Sequence, residues 1–136
     1  MTTKKLIDTN ILIDYLRGLP QAVTFLEKTL SNADCYISSI TIAEMYAGVR
    51  DGQEKKTLHA FLNLFSCIEI NSSIAQQGGL YCREYGKSHG VGLADAIIAA
   101  TAESISASLI TLNKKHFPMI KNLHIPYSNF TSAFPT

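Results

Sequence analysis

The sequence is short of most features that would mark a specialised class. Glycine and proline together number only 12, eight and four respectively, too few for a collagen-like or linker-like chain. There are three cysteines, Cys35, Cys67 and Cys82, widely spaced and with no CxxC pair. Neither a zinc knuckle nor a disulfide framework is indicated, and a reducing cytoplasm is the simplest setting. Two of the three sit in strand-like runs, where cysteine behaves as a small core hydrophobe. No charge of one sign prevails: 12 basic residues face 11 acidic ones, for a net charge of +1. Composition therefore does not announce a nucleic-acid binder. No run reaches the roughly 18–20 apolar residues of a membrane span. The apolar stretch near the start is interrupted by Asp8, Asn10, Asp14 and Arg17, unlike a signal-peptide core. Repeats, low-complexity segments and a Walker-type glycine loop are also lacking.

What is present suits one compact domain over residues 1–136. The hydrophobic fraction is 46% and the charged fraction 17%, which excludes intrinsic disorder. At this length roughly two-thirds of the unfolded chain's surface can be buried. Short apolar runs at 4–8, 35–38, 67–70, 107–112 and 123–125 read as strands. The segments 10–17, 21–30, 40–50, 52–66, 72–86, 93–106 and 114–120 read as helices, with Ser72 as a plausible N-cap. Strands alternating with helices predict an α/β fold with a mainly parallel sheet. In such sheets ligands bind beyond the carboxyl ends of the strands, which singles out Asp8, Ser38, Ser39, Leu112 and Asn113.

Three acids sit among apolar neighbours. Asp8 follows Leu6-Ile7 and precedes Thr9-Asn10-Ile11-Leu12; it reads either as a turn residue bonding its own backbone or as a functional group. Glu44 lies in Ile40-Thr41-Ile42-Ala43-Glu44-Met45, and shares a helical face with Thr41, Gly48 and Asp51 that reads equally as a solvated stripe. Asp95 is a first-turn acid in Leu93-Ala94-Asp95-Ala96-Ile97-Ile98-Ala99-Ala100, a helix expected to be buried nearly all round. A buried carboxylate needs a partner, and no Lys or Arg lies within one turn of Asp95. The fold can gather all three acids at one end of the sheet. A hard divalent cation would then supply the missing charge, which points to a Mg²⁺- or Mn²⁺-dependent phosphoryl-transfer site. A haloacid-dehalogenase-type phosphatase would want an acid where Asn10 stands. A receiver domain would want an Asp where Ile70-Asn71 stand.

Four segments, in order, resemble the motifs of PIN-domain ribonucleases, specifically VapC-type toxins. They are Leu6-Ile7-Asp8-Thr9-Asn10-Ile11-Leu12-Ile13-Asp14, then Ser38-Ser39-Ile40-Thr41-Ile42-Ala43-Glu44-Met45-Tyr46-Ala47-Gly48, then Gly92-Leu93-Ala94-Asp95-Ala96-Ile97-Ile98-Ala99-Ala100-Thr101-Ala102, and finally Leu109-Ile110-Thr111-Leu112-Asn113-Lys114-Lys115-His116-Phe117. The resemblance implies a Rossmann-like three-layer α/β/α sandwich and a metal-dependent endoribonuclease that is the toxin of a toxin–antitoxin pair. It implies an RNA substrate, an antitoxin protein as partner, a homodimer, and a cytoplasmic location with no membrane. Asp8 and Asp95 become metal ligands for Mg²⁺ or Mn²⁺, and Glu44 completes the catalytic set. Asn10 and Ser39 match polar positions lining the pocket. Many PIN domains carry a further acid in the fourth motif, where this chain has Asn113 and His116. Asn113 can still accept a hydrogen bond or hold a water, and His116 reads as a phosphate contact or as a residue packing beside Phe117. Lys114, Lys115, Arg50, Arg83 and Lys87 are candidate phosphate contacts or plain surface charges, and Tyr46 and Tyr81 base-stacking or core residues. The competing reading is a degenerate PIN domain that binds RNA or a protein without cutting.

Overall fold

A computed structural model describes residues 3–128, so the expected domain of residues 1–136 extends outside the described residues at both ends. Five strands form one sheet: β1 (Lys4–Ile7), β2 (Asp34–Ser38), β3 (Ser66–Ile68), β4 (Ser108–Ile110) and β5 (Leu123–His124). The spatial order is β3-β2-β1-β4-β5, and every pairing is parallel. Six helices connect them: α1 (Thr9–Leu16), α2 (Pro20–Asn32), α3 (Ser39–Ala47), α4 (Gln53–Leu62), α5 (Ser72–His89) and α6 (Leu93–Ser104). The α/β expectation therefore holds, with the sheet parallel throughout.

The order of the strands explains the layers. From β1 to β3 the chain moves steadily to one edge. It then returns across β1 to place β4 on the other side. Parallel crossovers are right-handed, so reversing direction moves the connecting helices to the opposite face. The side chains follow the period of a strand. Ile7, Cys35, Ile37 and Ile110 pack with Ile11, Leu12, Leu26, Met45, Leu58 and Phe61 from α1–α4. Leu6 and Leu109 point the other way, onto Ile98, Ala99 and Ala102 of α6 and Phe117. Helix α5 lies against α6 so closely that a Cβ on Gly78 would meet Ile97 Cγ1 at 2.9 Å. Gly90, at φ +66°, ends α5 in the left-handed region that glycine tolerates.

Several boundaries differ from the sequence reading. Helix α3 stops at Ala47 with Gly48 as its cap, and α4 stops at Leu62 so that Phe65 turns back into the core. Asn71, not Ser72, caps α5, its Oδ1 accepting from Ile74 N–H at 2.9 Å. The helix expected over 114–120 is a single 3₁₀ turn, Lys114–His116, because Pro118 drives Phe117 out of the helical region. Two burial expectations are corrected. Cys67 is exposed on the edge strand β3, while Cys35 is buried. Helix α6 is buried from Ile98 to Ala102 but not at its start, where Leu93 is 58% exposed. Among the described residues no helix is long and apolar enough to cross a membrane.

Candidate active site

The strand order reverses between β1 and β4, and the carboxyl ends at such a switch point are where ligands bind in open parallel sheets. Asp8 is the first residue past β1, and its N–H still reaches Ile110 O of β4 at 2.9 Å. Its side chain caps α1, with Oδ1 accepting from Thr9 N–H at 2.8 Å. Oδ2 accepts from the Thr111 hydroxyl, just past β4, at 2.6 Å. The turn reading and the functional reading of Asp8 are thus compatible: one oxygen serves each helix or strand end.

Asp8 is only 4% exposed. Burial, with repulsion from Asp95 and Glu44, pushes its pKa from 3.8 up to about 6, against the pull of the two hydrogen bonds. Glu44, on the outer surface of α3, is joined to this acid through Thr9. The Thr9 hydroxyl donates to Glu44 Oε1 at 2.6 Å and lies 3.0 Å from the Thr41 hydroxyl. Of the face that Glu44 shares with Thr41, Gly48 and Asp51, only Thr41 is buried; Glu44, Gly48 and Asp51 are exposed, so the stripe is solvated except where Thr41 meets Thr9.

Asp95 sits in the first turn of α6, where the helix dipole favours a carboxylate. Its Oδ2 lies 3.0 Å from His116 Nδ1, with side chains 29% and 33% exposed. The partner that Asp95 was expected to need therefore comes from the turn after β4. His116, which precedes Phe117, thus pairs with an acid. The Asn113 amide lies 2.7 Å from the same ring nitrogen, and Asn113 N–H is held by Thr111 Oγ1 at 3.0 Å.

The remaining candidates divide. Asn10 presents a buried side-chain carbonyl oxygen with no hydrogen-bond partner among the described residues. Ser39 turns towards the sheet edge, where its hydroxyl accepts from Ile70 N–H at 3.2 Å, and so joins the end of β3 rather than the acids. Arg50 is drawn into a surface pair with Glu54 at 3.0 Å. Tyr46 packs against the core and Tyr81 donates its hydroxyl to Glu103. Sequence reasoning passed over the hydroxyl frame made by Thr9, Thr41 and Thr111, all buried. Their position was a signal: Thr9 adjoins Asp8 in the first motif, Thr41 lies in the second, and Thr111 is the residue just after β4.

The donor set tests whether a divalent cation fits. Every acceptor offered by Asp8, Asp95, Glu44 and Asn10 is a hard oxygen, as Mg²⁺ and Mn²⁺ prefer. No Lys or Arg is paired with any of the three acids among the described residues. No three His, Cys, Asp or Glu side chains there form a ready three-ligand cage. Mg²⁺ does not need one, since it is commonly held by one or two carboxylates and keeps several waters. The residues fit such an ion. A groove near 660 Å³ lies between α1, α3 and α4 and reaches Glu44 but not Asp8 or Asp95.

The chain is similar to known proteins over most of its length. The PIN domain model matches residues 5–122. Ribonuclease VapC19 of Mycobacterium tuberculosis is 40% identical over 125 residues, covering 90% of this chain and 99% of that protein. A toxin–antitoxin complex from Klebsiella pneumoniae contains a chain that superposes with a TM-score of 0.78 at 34% identity, covering 91% of this chain and 98% of that one. VapBC2 of Rickettsia felis, solved bound to a DNA fragment from its promoter, gives a TM-score of 0.71 at 29% identity, covering 89% and 96%.

Proposed function

Because the chain belongs to the PIN-domain family, we propose that it is an endoribonuclease, dependent on Mg²⁺ or Mn²⁺, and the toxin of a toxin–antitoxin pair. The observation that carries the proposal is Asp8: a carboxylate 4% exposed, repelled by two further acids, with hydroxyl and amide partners but no cation. An arrangement that raises the cost of a negative charge at neutral pH is poor packing and good preparation for an ion. The ribonuclease relatives and the toxin–antitoxin complexes named above support the substrate class and an antitoxin partner.

Asp8 and Asp95 would hold the ion. When bound, it supplies positive charge to a scissile phosphodiester and acidifies a water. The chain's own groups do the rest. Thr111 and Thr9 N–H fix the Asp8 carboxylate, so it does not reorganise as charge develops. The Thr9 hydroxyl holds one oxygen of Glu44, leaving the other to accept a hydrogen bond or a proton from a water. Asn10 adds a neutral acceptor to the same end of α1.

The test is cleavage of purified RNA from the chain's own host by wild type and Asp95→Asn, with Mg²⁺ or Mn²⁺ and again with EDTA. Discrete fragments that require the metal and disappear in the variant are expected. No cleavage by folded, partner-free, metal-loaded wild type would turn the reading to a PIN domain that binds without cutting. One observation favours that second reading: Asn113 and His116 stand where a fourth acid would bring charge.

A further inference from the structure

The contact between His116 and Asp95 carries a consequence for the metal reading above, on which it rests. With Asp95 Oδ2 as acceptor, the hydrogen between it and His116 Nδ1, 3.0 Å apart, belongs to the imidazole, and the Asn113 amide 2.7 Å from the same nitrogen then presents its oxygen to that N–H. The ring is held by its place in the turn and by its contacts to Asp95 and Asn113. His116 closes the 3₁₀ turn, immediately before Phe117, which is 2% exposed and anchored in the core. Its other nitrogen faces the turn after α5, where a Cβ on Gly90 would stand 4.0 Å from His116 Nε2. One oxygen of Asp95 is therefore occupied by a side chain that has little freedom to leave.

Two cations about 3.5–4 Å apart, as in two-metal nucleases, are bridged by carboxylates that give one oxygen to each. With His116 on Oδ2, one of that oxygen's two acceptor sites is already taken, which weakens it as a second metal ligand. The neighbouring place, where a fourth acid would bring charge, holds Asn113, a neutral amide with its backbone N–H tied to Thr111. We propose that His116 is a positioning residue: it holds Asp95 Oδ2, turns Oδ1 to a single divalent cation, and by standing in place of a carboxylate limits the site to one ion per chain.

Calorimetric titration of the full chain with Mn²⁺, followed by EPR of the loaded protein, tests this without any RNA. Wild type should take up one ion per chain with an uncoupled Mn²⁺ spectrum. His116→Asn, whose amide reaches the position of Nδ1, should keep one ion with affinity within about threefold. His116→Ala should keep one ion but bind it about tenfold or more weakly, the usual cost of losing a group that orients a ligand. His116→Asp should bind two ions with a spin-coupled signal. Two ions in wild type, or unchanged affinity in folded His116→Ala, overturns the proposal and leaves the ribonuclease reading standing. No Mn²⁺ uptake by wild type at millimolar concentration overturns both. Should His116→Ala fail to fold, wild-type stoichiometry and the asparagine variant still decide.

Discussion

Asp8 and Asp95 carry the same charge and are expected to serve the same ion, yet the fold treats them oppositely. Asp8, at a strand end, is 4% exposed and is held only by a hydroxyl and an amide N–H. Asp95, at a helix start, has a side chain 29% exposed and leans on an imidazole. The strand-end acid is costly to ionise and rigid. The helix-start acid has solvent, a helix dipole and a hydrogen-bonding ring in its favour. In the metal site proposed here the labour would be divided. One carboxylate fixes a point and leaves repulsion unrelieved, while the other is oriented from outside by a residue that holds no ion itself.

Neutralising each acid is the strongest way to break the comparison. Asp8→Asn and Asp95→Asn should both lower metal-dependent RNA cleavage by more than about 100-fold, beyond the usual cost of an outer-shell change. Their effects on the metal-free protein should diverge. An acid whose folded pKa is about 6 and whose ordinary value is 3.8 binds more protons folded than unfolded between those values. Stability in EDTA should therefore be highest below about pH 4 and fall as pH rises through 6. The loss has a ceiling of about 3 kcal/mol, from about two units at 1.36 kcal/mol each. Asp8→Asn should abolish that slope and melt higher than wild type at pH 7.5, whereas Asp95→Asn, which removes one repulsion but not the burial of Asp8, should only reduce it. Thermal unfolding across pH 4–8 checks both. A flat wild-type profile would mean that Asp8 is already compensated.

Much of this was legible in the sequence, and the limits follow the chemistry. The strands and their parallel pairing came from apolar runs between helical periods, and the rule of strand ends picked Asp8. Asp95's isolation among apolar residues announced a missing partner. Its identity could not be read, because His116 is 21 positions away and meets Asp95 only where α6 passes the turn after β4. The boundaries of α3 and α4 and the 3₁₀ turn were overextended for a local reason. Periodicity continues through Gly48 and Pro118, while caps and proline sterics end the helix. Cys67 illustrates the opposite error: an apolar strand pattern does not say whether the strand is at an edge. Ser39 shows the same limit for sites, since a motif position does not fix which neighbour a short hydroxyl will find.

Thr111→Val sharpens the Asp8 side of the comparison. Valine keeps the shape and removes the donor to Oδ2, as well as the acceptor for Asn113 N–H. A hydrogen bond to a charged group contributes about 1.5–3 kcal/mol, and the buried carboxylate has no water to replace it. The variant should lose about 2 kcal/mol at pH 8, less at pH 5 where Asp8 is largely protonated, and Asp8 should titrate above 6. Denaturant unfolding at the two pH values would show it. Equal losses at both would assign Thr111 to Asn113 rather than to Asp8.

The smallest effect should come from the other side. Gly78→Ala on α5 adds a methyl that would meet Ile97 Cγ1 at 2.9 Å and Ile97 Cα at 3.2 Å. The isoleucine side chain can swing away, but the backbone contact forces the helices apart. Overpacking of this kind costs about 1–3 kcal/mol, and the better helix propensity of alanine offsets close to 1. A net loss near 1 kcal/mol follows, modest for a buried position. Its value lies in where the strain goes. Ile97 is two residues past Asp95 on the same helix, while Asp8 lies just past β1 and caps α1. Displacing α6 should therefore loosen the Asp95 contact with His116 and weaken Mn²⁺ binding severalfold, yet leave the EDTA pH slope set by Asp8 unchanged. If the slope changed as well, the two acids would be one mechanically coupled unit, and the division of labour between strand end and helix start would fail.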